Sequence, residues 1–229
     1  MRTVALHKPD VQTAIQERRS FRAYLDKPVA EDTLRRIIEV SRFSPSSTNM
    51  QPWQVFVLQG EKKKQLDHLL LQAFDAGKTA APQMSAYLKE WFEPYQSRRF
   101  NCGTALYEAG GIDRTDKQAR TAQARHNFDA FGAPVMLLFA MKQGLNEGSI
   151  FDCGMFYQSV MLSALAEGLE TCPEASLIAW PEILEDFLGL DENWRFLSGM
   201  ALGYGDYDHP INQYQTGRAE VDEVCRFIK

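Results

Sequence analysis

The sequence has no CxxC pair among its four cysteines, Cys102, Cys153, Cys172 and Cys225, and too few cysteines for a disulfide framework. Its four histidines, His7, His68, His126 and His209, lack metal-ligand spacing, so no metal site is expected. No apolar run is long enough to cross a bilayer, and residues 1–10 lack the apolar stretch of a signal sequence. The expectation is a reduced, cytoplasmic setting with no membrane partner. There is no excess of positive charge either. With 25 Lys and Arg against 30 Asp and Glu the net charge is −5, which argues against nucleic acid as a partner. P-loop, GxSxG and HExxH patterns are missing. Gly199, Gly203 and Gly205 do not form GxGxxG and end a strand with no helix after it, which excludes a Rossmann dinucleotide site. Cys102 and Cys172 are isolated, and an isolated buried thiol is more often packing than nucleophile.

What is present fits one globular domain. The 229 residues are 45% apolar and 24% charged, enough for a sizeable core without a second domain. Asp10 can cap a first helix with Val11, Ala14, Ile15 and Arg18 at helical spacing. A second helix follows Pro28, with Val29 and Leu34 as a hydrophobic staple and Leu34, Ile37, Ile38 and Ser41 on one face, stopped by Pro45. Trp53 to Leu58 reads as a strand, apolar on both faces and therefore central. Leu66, Leu69, Leu70 and Ala73 mark a third helix. Residues 78–131 mix Trp91, Phe92, Tyr95 and Tyr107 with arginines and read as a helical excursion. Ala133 to Met141 is a buried strand. Ser149 and Asp152 form a capping pair for a buried helix running from Asp152 to Glu167, with Gly168 as its C′ residue. Leu169 to Cys172 is a short strand broken by Pro173, Pro181 opens a helix through Leu188, and Phe196 to Tyr204 is a strand. Tyr207, Ile211 and Tyr214 imply that the tail packs against something.

Two segments carry chemistry. Arg18-Arg19-Ser20-Phe21-Arg22 supplies guanidinium forks that match phosphate oxygens, each charge-assisted contact contributing roughly 1.5–3 kcal/mol. An ion-pair patch at a helix end is the alternative, and the triplet alone leaves both open. Pro45-Ser46-Ser47-Thr48-Asn49-Met50-Gln51-Pro52-Trp53 offers neutral donors and acceptors suited to the edge of a flat heterocycle. Together they suggest a nucleotide-like cofactor, a flavin. Arg218 gains weight only if the tail returns to the Arg18 end.

These segments, with Gly168-Leu169-Glu170-Thr171-Cys172-Pro173 and Arg218, resemble in order and spacing the FMN-dependent nitroreductase family, over residues 12–60 and 127–220. The resemblance implies an α+β fold, a central mixed or antiparallel sheet flanked by helices, in an interlocked homodimer with two FMN sites at its interface. It implies one domain over 1–229, with residues 75–130 as a helical lid and 206–229 as an arm wrapping the partner. Carried over by position, Arg18 and Arg218 would hold the phosphate. Arg19 and Ser20 would fix the ribityl and pyrimidine side, with Arg22 at N1 and O2. Pro45, Ser46, Ser47, Asn49 and Gln51 would reach the other subunit's flavin, and Pro173, Glu174 and Ala175 would pass along the ring near N5. No side chain is assigned as a catalytic acid. The implied activity is NAD(P)H-dependent reduction of electron-poor acceptors such as nitroaromatics or quinones by alternating half-reactions. Reductive dehalogenation, ene-type reduction and non-catalytic flavin binding are the alternatives. Ala175 and Ser176 stand where some members carry an acid and a glycine, and residues 75–126 depart from the common core.

Overall fold

Val135–Met141 is buried at every position, and everything else is arranged around it. In the computed structural model, which describes residues 9–85, 87–191 and 193–229, these residues belong to strand β2, Val135–Lys142. β1 is Gln54–Gln59, β3 Glu170–Glu174 and β4 Trp194–Gly203. They form one antiparallel sheet in the order β1-β2-β4-β3. The two faces of β2 explain its composition. Met136, Leu138 and Ala140 join a cluster with Leu66, Leu70, Trp180 and Phe196, while Val135, Leu137 and Phe139 join Leu34, Ile37, Phe156 and Val160. Helices on both faces therefore demand apolar residues at both parities.

Helix α1 is Val11–Glu17, capped by Asp10 accepting from the Thr13 N–H at 3.0 Å, and α2 is Glu31–Ser41. Helix α3 is Gly60–Asp75, α4 Tyr95–Ala109 and α5 Lys117–Arg125. Helix α6 is Glu147–Ala166, α7 Pro181–Leu188 with proline in its first turn, and α8 Val221–Val224. Gly168 takes φ 75° just beyond α6, as its C′ position requires. α3 and α7 supply the first cluster, α2 and α6 the second.

Three expectations are corrected. Among the described residues β1 pairs only with β2 and is an edge strand, not a central one. Its apolar residues on both faces report helices above and below it (Phe56 and Leu58 in one cluster, Val55 in the other) rather than strands on both sides. α6 begins at Glu147 with Asn146 as cap, accepting from the Ser149 N–H at 3.2 Å, so Ser149 and Asp152 lie inside the helix and buried. Pro173 does not break β3, which continues to Glu174. Thr171 turns its carbonyl away from β4 to accept the Phe21 N–H at 3.1 Å, and Pro173, two residues on, turns the same way. Its missing N–H therefore costs the sheet no bond.

Candidate functional site

The arginine triplet is set by how α1 ends. Arg18 leaves helical geometry at ψ 128°, and the chain runs extended beside the sheet. Ser20 bridges Thr171 in parallel, Tyr24 bridges Gly205, and the Leu25 N–H donates to Tyr204 O at 2.8 Å. Phe21 is buried against Gly205, where a Cβ would stand 2.6 Å from its ring. The late glycines thus admit this segment. At Gly203 a Cβ would likewise meet Pro134 at 2.5 Å.

The tail returns to the same place. Asn212, buried, accepts the Arg22 N–H at 2.7 Å and donates to Ala23 O at 2.9 Å and Asp206 O at 2.8 Å. One amide side chain so ties residues 22–23 to the tail. The Arg22 guanidinium donates to the Tyr214 hydroxyl and lies 5.7 Å from the centre of the Phe131 ring. Tyr207 donates to Glu170 and meets Phe21 edge-on at 5.0 Å. Burial pushes the Glu170 carboxyl up to about 7, against that bond and the nearby Arg19 and Arg18.

Arg18 and Arg218, 200 positions apart in sequence, come together here. Burial, and then the Arg218 charge, hold the Arg18 guanidinium below its usual range. Arg18 Nη1 is buried and, among the described residues, has no hydrogen-bond partner. Arg218 spends its own Nη1 on Thr216 O at 2.9 Å, Thr216 Oγ1 at 2.7 Å and Gly217 O at 3.0 Å. Two like charges brought together around an unsatisfied N–H make an electrostatically costly arrangement that an anion would relieve. A phosphate monoester fits this donor set. Arg19 stands 5.2 Å from the Phe21 ring.

Pro173, Glu174 and Ala175 carry the chain from β3 into a short 3₁₀ turn, Ala175–Ile178. Tyr157 fixes this end, donating to Gly199 O at 2.6 Å with the Glu174 backbone N–H also against its hydroxyl. The thiols are poor nucleophiles: burial raises Cys172 to about 12 and Cys153 to about 11.

The turn at residues 45–51 is built differently. Thr48, Asn49 and Gln51 have φ of 51°, 58° and 50°, a left-handed conformation that side chains disfavour. Ser46 Oγ accepts the Gln51 N–H at 2.9 Å, and the Ser47 N–H donates to Asp152 of α6 at 3.1 Å. Among the described residues no hydrogen bond or ion pair joins this turn to the arginines of its own chain. Its neighbours Phe43, Met50 and Phe151 are large, apolar and exposed.

The residues alone joined Arg18 and Arg218 only on condition that the tail returned, which it does, and Asp152, Tyr157 and Glu170 were missed. The available signal was polarity out of place: Asp152 is a buried carboxylate in a largely buried helix, Tyr157 lies among its apolar residues, and Glu170 sits between buried Leu169 and Thr171.

A sheet with helices on both faces, at whose β3 margin the segment after α1 and the returning tail gather arginines around an unsatisfied donor, defines an α+β protein with a site for an anionic ligand. The Nitroreductase family model matches residues 15–204, and the chain belongs to that family. It is 34% identical to a 4-nitrobenzoate reductase of Pseudomonas putida over 98% of both chains. It is also similar in structure to an FMN and NADPH-dependent nitroreductase, NfnB, from Sphigopyxis sp. strain HMH. That similarity has a TM-score of 0.92 and 35% identity, covering 95% of this chain and 98% of the other. The FMN-dependent nitroreductase NfnB of Mycobacterium smegmatis, solved in complex with NADPH, matches with a TM-score of 0.90 at 28% identity, over 95% and 97% of the two chains. No helix among the described residues is long and apolar enough to cross a membrane.

Proposed function

We propose that the protein is an FMN-dependent oxidoreductase that uses NAD(P)H to reduce nitroaromatic compounds. The observation that carries this is the buried Arg18 Nη1, without a hydrogen-bond partner among the described residues, beside Arg218 from the other end of the chain. When bound, FMN supplies the redox chemistry, accepting hydride from NAD(P)H and passing electrons to the acceptor. Arg18 and Arg218 would hold its phosphate, and Arg19 and Ser20 the ribityl and pyrimidine side. Arg22, fixed by Asn212 and Tyr214, would place positive charge where the ring becomes anionic. Pro173, Glu174 and Ala175 would line the ring. The geometry of β3 and Tyr157 keeps that wall stiff, and the raised Cys172 thiol keeps it chemically inert.

The second half of the site would come from another copy. Pro45, Ser46, Ser47, Asn49 and Gln51 form an exposed, preset turn with no polar link to their own arginines, and the apolar Phe43, Met50 and Phe151 around it suit a covered surface. We take the protein as a homodimer on this ground. Residues 75–130 would act as a lid, and the segment beyond Arg218 as an arm across the partner. A cytoplasmic setting, reduction of quinones as well as nitroaromatics, and alternation of the two substrates at one face belong to the same proposal. The reductive dehalogenase, ene-type reductase and non-catalytic flavin-binding alternatives have no feature of the site in their favour. Purified protein should carry a flavin absorbance band and oxidise NADH or NADPH with 4-nitrobenzoate, giving parallel double-reciprocal lines. Colourless protein that neither binds added FMN nor oxidises either nucleotide would overturn the proposal.

A further inference from the structure

Arg22 is anchored at both ends without an acid. Its backbone N–H donates to Asn212 at 2.7 Å, and among the described residues its guanidinium makes one hydrogen bond, from Nη1 to the neutral Tyr214 hydroxyl. The centres of the Phe131 and Tyr214 rings lie 5.7 Å and 5.8 Å from its Cζ, inside the distance of about 6 Å at which a ring attracts a cation. Other guanidinium groups of the chain are held by carboxylates: Arg36 by Glu167 at 2.8 Å, Arg98 by Glu223 at 2.7 Å and Arg125 by Asp75 at 2.7 Å. Among the described residues no ion pair includes Arg22. Glu174, whose field reaches it, has both carboxyl oxygens unpartnered there and so makes no bond to it. Phe131 reaches its place by a disfavoured backbone. Ala130, Phe131 and Gly132 take φ of 54°, 53° and 71° in succession, a left-handed run in which only the last is glycine. The turn is held from outside itself, since buried Lys63 of α3 donates to Asp129 O at 3.0 Å. Such conformations persist where the surroundings dictate them, and they cluster at functional sites. Glycine or asparagine would serve a turn at position 131 with less strain. What phenylalanine adds is a ring that both joins the core and reaches Arg22.

We propose that Phe131 and Tyr214 are positioning residues for Arg22, an uncharged bracket that aims the guanidinium at the flavin while leaving its charge available. A carboxylate in their place would hold Arg22 as firmly, but would cancel much of the field that favours an anionic ring. Nε and Nη2 of Arg22 have no partner among the described residues and are not among the buried unpartnered atoms, so that side of the fork faces accessible space. The inference rests on the FMN reading above, in which Arg18 and Arg218 take the phosphate and Arg22 serves the ring. Loss of the bracket should therefore lower the potential of bound FMN and leave the affinity for oxidised FMN nearly unchanged.

Full-length wild type, Phe131→Leu, Tyr214→Phe and Arg22→Gln are compared, with Arg22→Gln also combined with each of the other two. Phe131→Leu keeps an apolar side chain in the core and removes the ring. Tyr214→Phe keeps the ring and removes only the hydroxyl, and it reads the bracket by itself should Phe131→Leu fail to fold. In the FMN-free, isotope-labelled proteins the Arg22 Nε–H resonance is assigned by its absence from Arg22→Gln. It should move in Phe131→Leu, as the ring current is lost, and in Tyr214→Phe, as the acceptor is lost. With FMN bound, each variant should lower the midpoint potential by about 14–30 mV, an approximately three- to tenfold loss of preference for reduced over oxidised FMN. The Kd for oxidised FMN should change less than about twofold, because the phosphate donors are untouched. In the Arg22→Gln background neither substitution should lower the potential further. Potentials and an Arg22 resonance equal to wild type, or a drop in potential that persists undiminished without Arg22, overturn the inference while leaving FMN binding intact. Wild type that binds no FMN overturns the cofactor reading, and this inference with it.

Discussion

Strand β2 and helices α4 and α5 are all built from ordinary residues, yet they hold their places by different physics. Seven of the eight residues of β2 are buried, and its neighbour α6 buries seven of twenty. Helices α4 and α5 bury none. They are tied down by exposed ion pairs, Arg98 to Glu223 at 2.7 Å and Arg125 to Asp75 at 2.7 Å, and by rings under guanidinium groups, such as Phe100 4.1 Å from Arg114. Burial fixes register because a slip would expose a whole face, whereas surface pairs can be exchanged at little cost. The molecule therefore keeps the arginine-bearing site on the buried framework and holds α4 and α5 by surface pairs that can be exchanged at little cost.

The contrast breaks if large rings cost the same in both regions. Trp180, 2% exposed and donating to Thr79 O at 3.2 Å, should lose about 3–5 kcal/mol on Trp180→Ala by urea unfolding. Phe100→Ala should lose no more than about 1 kcal/mol, because the ring is already mostly in solvent. Comparable losses would show that the excursion is packed after all. Cofactor affinity sharpens the same point. Arg18→Ala should weaken FMN binding roughly 10- to 150-fold, the equivalent of about 1.5–3 kcal/mol. Arg99→Ala, on the excursion, should change it by less than about threefold. Flavin fluorescence titration distinguishes them.

The buried acids that titrate high all lie in the framework, so pH should act there. Glu170 is raised from 4.5 to about 7 and Asp67 from 3.8 to about 6, both chiefly by burial. A carboxyl raised in the folded state binds protons that the unfolded chain has released. Its stabilising contribution is complete below its unfolded pKa and is lost as pH climbs through its folded one. Thermal stability should therefore decline from about pH 4.5 to 7, with Glu170 responsible for on the order of 3 kcal/mol. Glu170→Gln, which keeps an acceptor for Tyr207, should flatten much of that decline; an unchanged slope would refute the assignment. Smallest of all, Arg125→Ala should cost under about 1 kcal/mol in the same melting experiment, as expected of an exposed pair.

Much of this was legible in the residues. Periodicity located α1, α2 and α3, Pro181 located the start of α7, continuous apolarity located β2, and the left-handed glycine after α6 was evident from its position. The convergence of Arg18 and Arg218 was legible only as a condition, because no local pattern states that a tail folds back; Asn212 and Tyr214 make it do so. β1 was misplaced because apolarity on both faces of a strand records what lies above and below it, and carries no information about lateral neighbours. The start of α6 was misplaced because Ser149 and Asp152 looked like exposed capping groups, when one is buried among helices and the other holds the Ser47 turn. Polar residues inserted in apolar helices marked distant contacts, and single-segment patterns cannot show where those contacts end.

The two margins of the sheet have unequal fates. Beyond β3 the ladder is closed off by Ser20 and Phe21 and by a proline with nothing to donate, so no further strand can be added there. Beyond β1 no strand of the described residues is laid against the row of amides and carbonyls, and Val57 stands 42% exposed upon it. A chain in solution by itself would thus be adhesive on one flank and inert on the other. Its tendency to precipitate when diluted or overproduced should be governed by that single margin, and a lysine placed at Val57 should be enough to suppress it.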